Sequence, residues 1–254
     1  MSVYQIIFSP TGGTKAVSQM VASAWPESIT MDLCDPAAED FSHTFTGKDL
    51  CIFAVPAFEG RVPPVNLRRI QRLTGDHTPC IMVAVYGNRA IDDTLIELED
   101  TLLSLGFLPF GAVSAVAQHS MLPMYGTGRP NQADKAQLEE FSQKLRRTYE
   151  QGSFAEPVSV PGKRPYIVID IQPTYPSYDS GKCTHCGKCA DLCPVGAIDH
   201  SDPGKVDTEA CMDCMRCVKV CPTQARHLPS QRVEAICQHI GHLLEAPKEN
   251  HLYL

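Results

Sequence analysis

The chain has 254 residues, of which 43% are hydrophobic and 20% charged, and its formal net charge is -7 at pH 7. This composition is typical of a globular protein with one large domain or two ordinary ones. The negative charge argues against nucleic acid or an anionic membrane surface as a partner. No apolar run approaches the roughly 20 residues that span a bilayer. Met1 precedes a strand-like run rather than a secretion signal, so we expect a cytoplasmic protein.

Five apolar runs of strand length lie in the amino-terminal part of the chain, separated by segments with helical periodicity. Nearly continuous apolar runs are typical of strands that are buried on both faces, as in a parallel sheet covered by helices. The pattern therefore predicts an α/β fold with a doubly wound parallel sheet. The expected strands are residues 4–8, 28–33, 50–55, 81–86 and 108–117, and the expected helices are residues 14–24, 64–73, 91–105 and 132–149.

Ligands of a doubly wound sheet bind in the loops at the carboxyl ends of its strands. The first of these loops, residues 9–14, reads SPTGGT and places three hydroxyl groups and two glycines between a strand and a helix start. Glycine lets backbone N–H groups approach an anion, and the helix amino terminus adds its dipole, so the loop predicts a cradle for one phosphate group. An ordinary strand-to-helix turn is the alternative. The loop matches neither the P-loop pattern nor the G-x-G-x-x-G dinucleotide pattern.

This loop resembles the phosphate loop of flavodoxins, which bind FMN with the pattern Ser/Thr-x-Thr-Gly-x-Thr after the first strand. Residues 9–14 satisfy every position. The resemblance implies that FMN is a cofactor and that the loops after the third and fourth strands carry the flavin. Flavodoxins usually sandwich the flavin between two aromatic side chains, whereas Phe58 is the one obvious stacking candidate here. The residues implied in FMN binding are Ser9, Thr11, Gly12, Gly13, Thr14, Pro56, Ala57, Phe58, Glu59, Gly60, Gly87, Asn88 and Arg89.

Several other side chains near these loops have two interpretations. Arg61 and Arg89 could stabilise negative charge on a reduced flavin, or could be solvated loop arginines. His119, after the fifth strand, could approach the flavin, although a structural role is the simpler interpretation. A basic helix face, which is usually solvated, is formed by Arg68, Arg69 and Arg72. Buried thiols that pack as small hydrophobes are expected at Cys34, Cys51 and Cys80.

Two four-cysteine runs follow, each with the spacing C-x2-C-x2-C-x3-C and a proline after the last cysteine. Each cysteine of the second run lies 28 residues after its counterpart in the first, as Cys211 follows Cys183, so the runs form an internal repeat. In this bacterial iron–sulfur pattern the fourth cysteine of a run binds the other cluster. By that rule the first cluster is held by Cys183, Cys186, Cys189 and Cys221, and the second by Cys211, Cys214, Cys217 and Cys193.

Zinc and disulfides are the alternatives for these cysteines. A zinc site takes four ligands in two pairs, so the third cysteine of each run would be surplus. Disulfides suit a secreted chain, and no signal peptide is expected here. The interpretation we favour is therefore two 4Fe–4S clusters, and residues 178–229 resemble a two-cluster bacterial ferredoxin.

The remaining segments connect or follow these parts. Residues 151–176 are rich in Pro, Gly and Ser and indicate a linker, with a strand-like insert at 166–170. Residues 231–244 predict an amphipathic helix capped by Ser230, and the residues from Ala246 onward are expected to be frayed. The expected domains are a flavodoxin-like FMN-binding domain at 1–152, a linker at 153–176, a two-cluster ferredoxin domain at 177–229, and a helix and tail at 230–254.

The whole chain resembles flavodoxin–ferredoxin fusion proteins. The resemblance implies an electron-transfer protein that passes electrons between two 4Fe–4S clusters and FMN and on to a redox partner. No nicotinamide site is visible, so we expect a protein donor and a protein acceptor. The alternative is a reductase of a small organic substrate, with His119, Tyr86 or Glu59 as its proton donor. If the linker does not bring the two domains together, a two-fold homodimer could place one chain's clusters beside the other's flavin.

Overall fold

A computed structural model describes residues 1–152, 154, 156–169 and 175–254 of the protein. Strands and helices alternate along most of this part. The strands are β1 (Val3–Ile7), β2 (Ile29–Asp32), β3 (His43–Phe45), β4 (Leu50–Pro56), β5 (Leu73–Gly75), β6 (Thr78–Tyr86), β7 (Phe107–Val116), β8 (Ser177–Tyr178), β9 (Arg226–His227) and β10 (His251–Tyr253). The α-helices are α1 (Gly13–Val21), α2 (Pro64–Ile70), α3 (Thr94–Ser104), α4 (Gln132–Gln151), α5 (Lys188–Asp191), α6 (Arg216–Val220) and α7 (Ser230–Leu244).

Six of the strands form one sheet in the order β10-β7-β6-β4-β1-β2. All neighbouring strands of this sheet are parallel except β10, which pairs antiparallel with β7 at the edge. When the five parallel strands are counted along the chain, their order is 2-1-3-4-5, which is the flavodoxin-like doubly wound arrangement. The predicted fold class is therefore confirmed, and its switch point lies between β1 and β4.

Alternate residues of the central strands point into two separate cores, which explains the continuous apolar runs. In β4, Phe53 faces one core while Ile52 and Ala54 face the other. Helices α2 and α3 cover the first core, and α1 and α4 cover the second. The thiols that were predicted to be buried in this part of the chain are buried: Cys34, Cys51 and Cys80.

A second, two-stranded sheet of β3 and β5 is not predicted by the sequence. Leu73, the last residue of the predicted helix 64–73, belongs instead to β5, and α2 ends at Ile70. Phe45 of β3 and Leu73 of β5 are both fully buried in the core. Burial of these side chains outweighs continuation of the helix.

The predicted linker is fastened along α3 over the part that the structure describes. The carboxylate of Asp93 accepts hydrogen bonds from the N–H of Lys163 at 2.8 Å and from the N–H of Ile167 at 2.7 Å. Residues 166–169 of the strand-like insert form no strand. Residues 153, 155 and 170–174 of the linker, which include the end of that insert, lie outside the described residues.

The carboxy-terminal residues are not frayed, contrary to the prediction, because they end in β10 on the edge of the main sheet. The buried side chain of Asn250 fixes them there. Its Oδ1 accepts a hydrogen bond from the N–H of Val116 at 2.9 Å, and its Nδ2 donates to Asp134 and Gln137, each at 2.9 Å. A buried amide needs partners at both ends, so these bonds hold the tail in one place.

Helix α7 connects the cysteine-rich segment to this tail. It begins at Ser230, so the predicted capping role of Ser230 is wrong: the N-cap residue is Pro229, and no side chain caps the helix. Gly241 and Leu244 are the buried residues of α7, which therefore packs through its last turns. Within the described ranges, none of the helices has the length and apolar character needed to cross a bilayer.

Candidate cofactor sites

The four cysteines expected at the first cluster surround one cavity, and we call them the first cysteine ring: Cys183, Cys186, Cys189 and Cys221. The cavity encloses about 350 Å³ of empty space, part of it open to solvent. Cys186 is exposed, and the other three cysteines are half-buried. Although burial opposes it, the pKa of the Cys221 thiol is lowered by hydrogen bonds from the backbone of Arg226 and from Thr223.

The four cysteines expected at the second cluster surround another cavity, and we call them the second cysteine ring: Cys193, Cys211, Cys214 and Cys217. This cavity encloses about 430 Å³, and Pro194, Val195 and Ile198 give it an apolar wall. Two members of the ring, Cys193 and Cys214, are buried. Burial raises the pKa of the Cys217 thiol to about 12, so this thiol keeps its proton until a metal ligates it.

The repeat extends from the cysteine spacing to the backbone. Three pairs of residues 28 positions apart have left-handed φ angles: His185 (52°) and Asp213 (54°), Gly187 (75°) and Met215 (58°), Gly196 (61°) and Gln224 (56°). A left-handed φ is unfavourable for any residue other than glycine. Its recurrence at non-glycine residues shows that both cysteine rings require the same loop path.

Four thiols spread around a cavity fit an iron–sulfur cluster. The iron atoms of a cubane sit at separate corners, so its ligands approach from different directions. A single metal ion instead needs three or more ligands to converge on one point, and no group of His, Cys, Asp or Glu converges in this way in the part of the chain that the structure describes. Thiolates are also the soft ligands that iron–sulfur clusters take.

The phosphate loop, residues 9–14, joins β1 to α1. Gly12 is the N-cap residue of α1 with a φ of 97°, a backbone conformation that glycine adopts without strain. The Ser9 hydroxyl accepts a hydrogen bond from the N–H of Lys15 at 2.9 Å, which closes the loop. No side chain caps α1 and its first turn carries no acidic residue. The start of α1 therefore has the properties of an anion-binding helix terminus.

The other residues of the phosphate loop lie at the same helix start. Thr11 is half-buried and Thr14, in the first turn of α1, is 4% exposed. Gly13 lies against the end of β7, where an added Cβ would come 3.0 Å from the Cβ of Ala117. A larger residue at position 13 would push the loop away from the sheet.

The loop after β4 closes in a tight two-residue turn. Phe58 and Arg61 exchange backbone hydrogen bonds of 2.9 and 3.0 Å across it. Between them, Glu59 and Gly60 have φ angles of 55° and 81°. An added Cβ on Gly60 would clash with the side chain of Asp92, so this position requires glycine.

The ends of β4 and β6 lie side by side, which brings the remaining flavin-loop residues together. Pro56 is the last residue of β4, and the N–H of Ala57 donates to the carbonyl of Val85 at 2.8 Å. Gly87 follows β6 and packs against His119, whose side chain would lie 2.7 Å from an added Cβ. The loops that the sequence singles out therefore meet at one edge of the sheet.

Asn88 is held by the carboxy-terminal segment. Its Nδ2 donates to the carbonyls of Leu244 and Ala246, and its Oδ1 accepts from the N–H of Lys248 at 3.1 Å. Sequence reasoning missed these contacts because the partners are about 156 to 160 residues away along the chain. The side chain of Asn88 is thus occupied by the tail.

Neither loop arginine is simply solvated. Arg61 donates from Nε to Glu97 of α3 at 2.9 Å and from Nη1 to the carbonyl of Ile167 at 2.8 Å. Arg89 forms an ion pair with Asp92. Both guanidinium groups therefore already have anionic partners within the protein.

His119 is a neutral imidazole fixed by its own loop. Burial, together with the charge of Arg89, lowers the pKa of His119 to about 4. Its Nδ1 accepts hydrogen bonds from the N–H of Met121 at 3.2 Å and of Leu122 at 3.3 Å. These bonds place the proton on Nε2 and agree with the structural interpretation of this residue.

The second cysteine ring docks on the carboxyl edge of the sheet. Arg69 is 2% exposed and donates to the carbonyls of Leu33 and of Pro194, both at 2.6 Å. The expectation of a solvated basic face is therefore wrong for Arg69, which bridges β2 and the cysteine-rich segment. Val195 and Met212, beside the cysteines, pack against the core that α2 and α3 cover.

The second cysteine ring also touches the phosphate loop. Arg216, which lies between two cysteines of the ring, donates from Nη1 to the carbonyl of Ser9 at 3.4 Å. The N–H of Ser9 donates to Sγ of Cys34 at 3.0 Å, and burial raises the pKa of that thiol to about 12. Burial and the nearby charge of Asp213 raise the pKa of Glu59 in the loop after β4. The phosphate loop and the loop after β4 thus neighbour this ring.

Residues 175–234 match a protein-family model described as a 4Fe-4S dicluster domain. The search of curated proteins gave no match. Among solved structures, the flavodoxin of Streptococcus pneumonia TIGR4 aligns with 15% identity over 57% of this chain and 99% of its own, with a TM-score of 0.36. Azoreductase from Bacillus anthracis str. Sterne aligns with 9% identity over 57% and 98%, with a TM-score of 0.38. Rubredoxin oxygen:oxidoreductase from Desulfovibrio gigas aligns with 13% identity over 59% and 36%, with a TM-score of 0.37.

The strand order and the dicluster match define a two-part architecture. A flavodoxin-like α/β domain is followed by a small ferredoxin-type 4Fe–4S domain. This architecture supports the resemblance to flavodoxin–ferredoxin fusion proteins. An iron–sulfur domain that is docked on a flavodoxin-like domain indicates an electron-transfer or redox role.

Proposed function

We propose that the protein is an electron-transfer protein that passes electrons between two 4Fe–4S clusters and FMN and on to a redox partner protein. The observation that carries the proposal is the contact of the second cysteine ring with the phosphate loop, through Arg216 and Ser9. When bound, clusters carry single electrons and FMN carries one or two, so the chain can exchange both single electrons and pairs.

The cluster ligands in this proposal are the two cysteine rings. The supporting observation is that each set of four cysteines lines a cavity of its own. Cys193 is the last cysteine of the first run but lies in the second ring, and Cys221 is the last cysteine of the second run but lies in the first ring. Each ring therefore ties the two halves of the repeat together.

The flavin in this proposal is FMN. One uncapped helix start with hydroxyl groups beside it suits a single phosphate group, as in a mononucleotide. Thr11, Gly13 and Thr14 would donate hydrogen bonds to that phosphate. The loops after β4 and β6 would flank the flavin, with half-buried Phe58 as its stacking partner and Asn88 contributing backbone only.

The two rings differ in what they face. The first ring, with exposed Cys186, faces a redox partner, which we propose is a protein. The second ring faces the flavin loops. Under this proposal the clusters and the flavin of one chain are neighbours, so electron exchange between them does not require a second chain.

The reductase alternative requires a proton donor at the flavin. The hydroxyl of Tyr86 donates to the carbonyl of Glu249 at 3.2 Å, and His119 is neutral with a pKa of about 4. These two groups are thus occupied or uncharged. The third candidate, Glu59, has a raised pKa and can hold a proton, so it is the contact of the second ring with the phosphate loop that favours the carrier over the reductase.

The proposal is tested with anaerobically purified full-length protein. We expect about eight iron and eight sulfide per chain, and released flavin that runs as FMN. After mixing with a reduced ferredoxin-type donor in a stopped-flow instrument, flavin absorbance should fall together with cluster absorbance. Cys237→Ser, which changes a cysteine outside both rings, should behave like the wild type.

Three results would contradict this function. Stoichiometric zinc without sulfide would rule out the two clusters. A released flavin other than FMN would contradict the proposed role of the phosphate loop. Rapid turnover of a small organic acceptor, with no protein acceptor present, would favour the reductase.

A further inference from the structure

Arg226 lies between the two cysteine rings. It is 2% exposed, and it lines both the cavity of the first ring and the cavity of the second. It belongs to the short strand β9, whose backbone pairs with β8. The side chain is thus part of the wall that separates the two sites.

The guanidinium of Arg226 contacts a backbone carbonyl and an aromatic ring. One end of the guanidinium donates to the carbonyl of Pro203, and its carbon lies 5.1 Å from the centre of the Tyr178 ring. Its Nε is buried and has no hydrogen-bond partner in the described part of the chain. Since arginine stays charged, an uncompensated guanidinium at this depth would cost several kcal/mol. The burial therefore points to an anionic group inside the cavities.

The internal repeat shows what Arg226 replaces. The residue 28 positions earlier is Ile198, and the preceding residue is alanine in both copies. Ile198 is 5% exposed and Arg226 is 2% exposed, so both positions are buried. Ile198 shows that an apolar side chain fits this position of the repeat. The second copy has a cation, Arg226, at the same position.

Arg226 also contacts the first ring directly, because its backbone N–H donates a hydrogen bond to the sulfur of Cys221. The same residue lines the cavity of the second ring. Arg226 thus adjoins the ligands of both rings.

We propose that Arg226 is a shared counter-charge for both clusters and holds both of their reduction potentials above the values that an apolar residue would give. This inference rests on the proposed two-cluster function. Each reduction adds one electron from an external one-electron donor and makes its cluster more negative, while no bond forms or breaks at Arg226. A cation in a low-dielectric wall between the sites stabilises the more negative state of each, and net charge near a cluster is a known determinant of its potential.

The test is an anaerobic potentiometric titration of the full-length protein, followed by EPR of the reduced clusters. Arg226→Ile reproduces the residue of the first repeat and should lower both potentials. At a given solution potential we expect the ratio of reduced to oxidised cluster to fall at least about tenfold at each site, which corresponds to about 59 mV for one electron. Arg226→Lys should keep part of the effect, and Lys219→Gln, which removes an exposed cation on α6, should have none.

The outcomes of the titration distinguish a failure of the counter-charge inference from a failure of the proposed two-cluster function. Wild-type protein with fewer than two clusters would overturn both. Two clusters in the wild type, with unchanged potentials in Arg226→Ile or a shift at only one cluster, would overturn the shared counter-charge alone. If Arg226→Ile does not assemble its clusters, Arg226→Lys and Arg226→Gln decide: equal potentials in these two variants would refute the role of charge.

Discussion

The two cysteine rings share their spacing and their loop conformations, yet they lie in different surroundings. The first ring is half-open, with Cys186 exposed, whereas two cysteines of the second ring are buried. The second ring also contacts the flavodoxin-like sheet through Arg69 and the phosphate loop through Arg216. The shared spacing and loop conformation therefore do not determine where in the molecule a ring lies.

The difference arises from residues at equivalent positions of the repeat. Met212 and Val195 lie beside the second ring and pack on the core of the sheet. Their counterparts, Thr184 and Thr223, line the cavity of the first ring. The cysteine spacing thus sets the ligands, and the residues between the cysteines set which ring is buried against the sheet.

The largest expected effect tests which cysteines belong to which ring. Cys193→Ser should remove the second cluster and Cys221→Ser the first, because each fourth cysteine lies in the ring of the other run. In both variants iron should fall from about eight to about four per chain. The residual EPR spectrum of Cys193→Ser should equal that of Cys214→Ser, and the spectrum of Cys221→Ser should equal that of Cys186→Ser. The reverse pairing would show that the runs do not cross.

The next effect concerns the phosphate loop, which the second ring contacts through Arg216. Thr11→Ala should weaken FMN binding roughly 10- to 150-fold, because a hydrogen bond to a charged group contributes about 1.5–3 kcal/mol. Fluorescence titration of FMN measures the affinity. Thr208→Ala, an exposed threonine of the cysteine-rich segment, is the control and should bind as the wild type does. Equal affinities in all three proteins would show that the phosphate binds elsewhere.

Local sequence patterns were sufficient to predict those features of the sheet and of the two rings that depend on residues close together in the chain. The apolar runs predict the parallel sheet, and the repeated spacing predicts which cysteines surround each cavity, because both depend on residues a few positions apart. The position of the second ring was not predictable. It depends on contacts such as that of Arg69 with Pro194, which are 125 residues apart, and helical spacing alone made Arg69 look solvated. The tail was missed for the same reason, since Asn250 is fixed by partners more than 110 residues away.

A smaller effect is expected from exchanging the residues that distinguish the rings. Met212→Thr removes part of the apolar contact between the second ring and the sheet, and should lower the free energy of unfolding by about 1–2 kcal/mol because Met212 is only half-buried. Thr184→Met makes the reverse change at the equivalent position of the first ring and should have little effect. Thermal unfolding of cluster-loaded protein provides the measurement. Equal destabilisation by both changes would mean that the two rings are equally buried.

An effect of similar size is a pH dependence on the sheet side, at His119. Its folded pKa of about 4 lies below its ordinary 6.5, so as pH falls the unfolded chain takes up this proton first. The stability that the neutral imidazole contributes is therefore present above about pH 6.5 and is lost as pH falls toward about 4. Denaturant unfolding of wild type and His119→Gln at about pH 7 and about pH 5 tests this. A pH dependence of equal size in His119→Gln would assign it to other groups.

The most direct measurement compares flavin reduction in two variants that change equivalent cysteines, Cys189→Ser in the first ring and Cys217→Ser in the second. Each variant is loaded with FMN, mixed anaerobically with a small one-electron reductant in a stopped-flow instrument, and followed at the flavin absorbance. Because the second ring contacts the phosphate loop, Cys189→Ser should keep cluster-dependent reduction of the flavin, whereas Cys217→Ser should slow it at least about tenfold, to the rate of direct reduction. Equal rates in the two variants, or a slower rate in Cys189→Ser, would contradict the placement of the second ring beside the flavin.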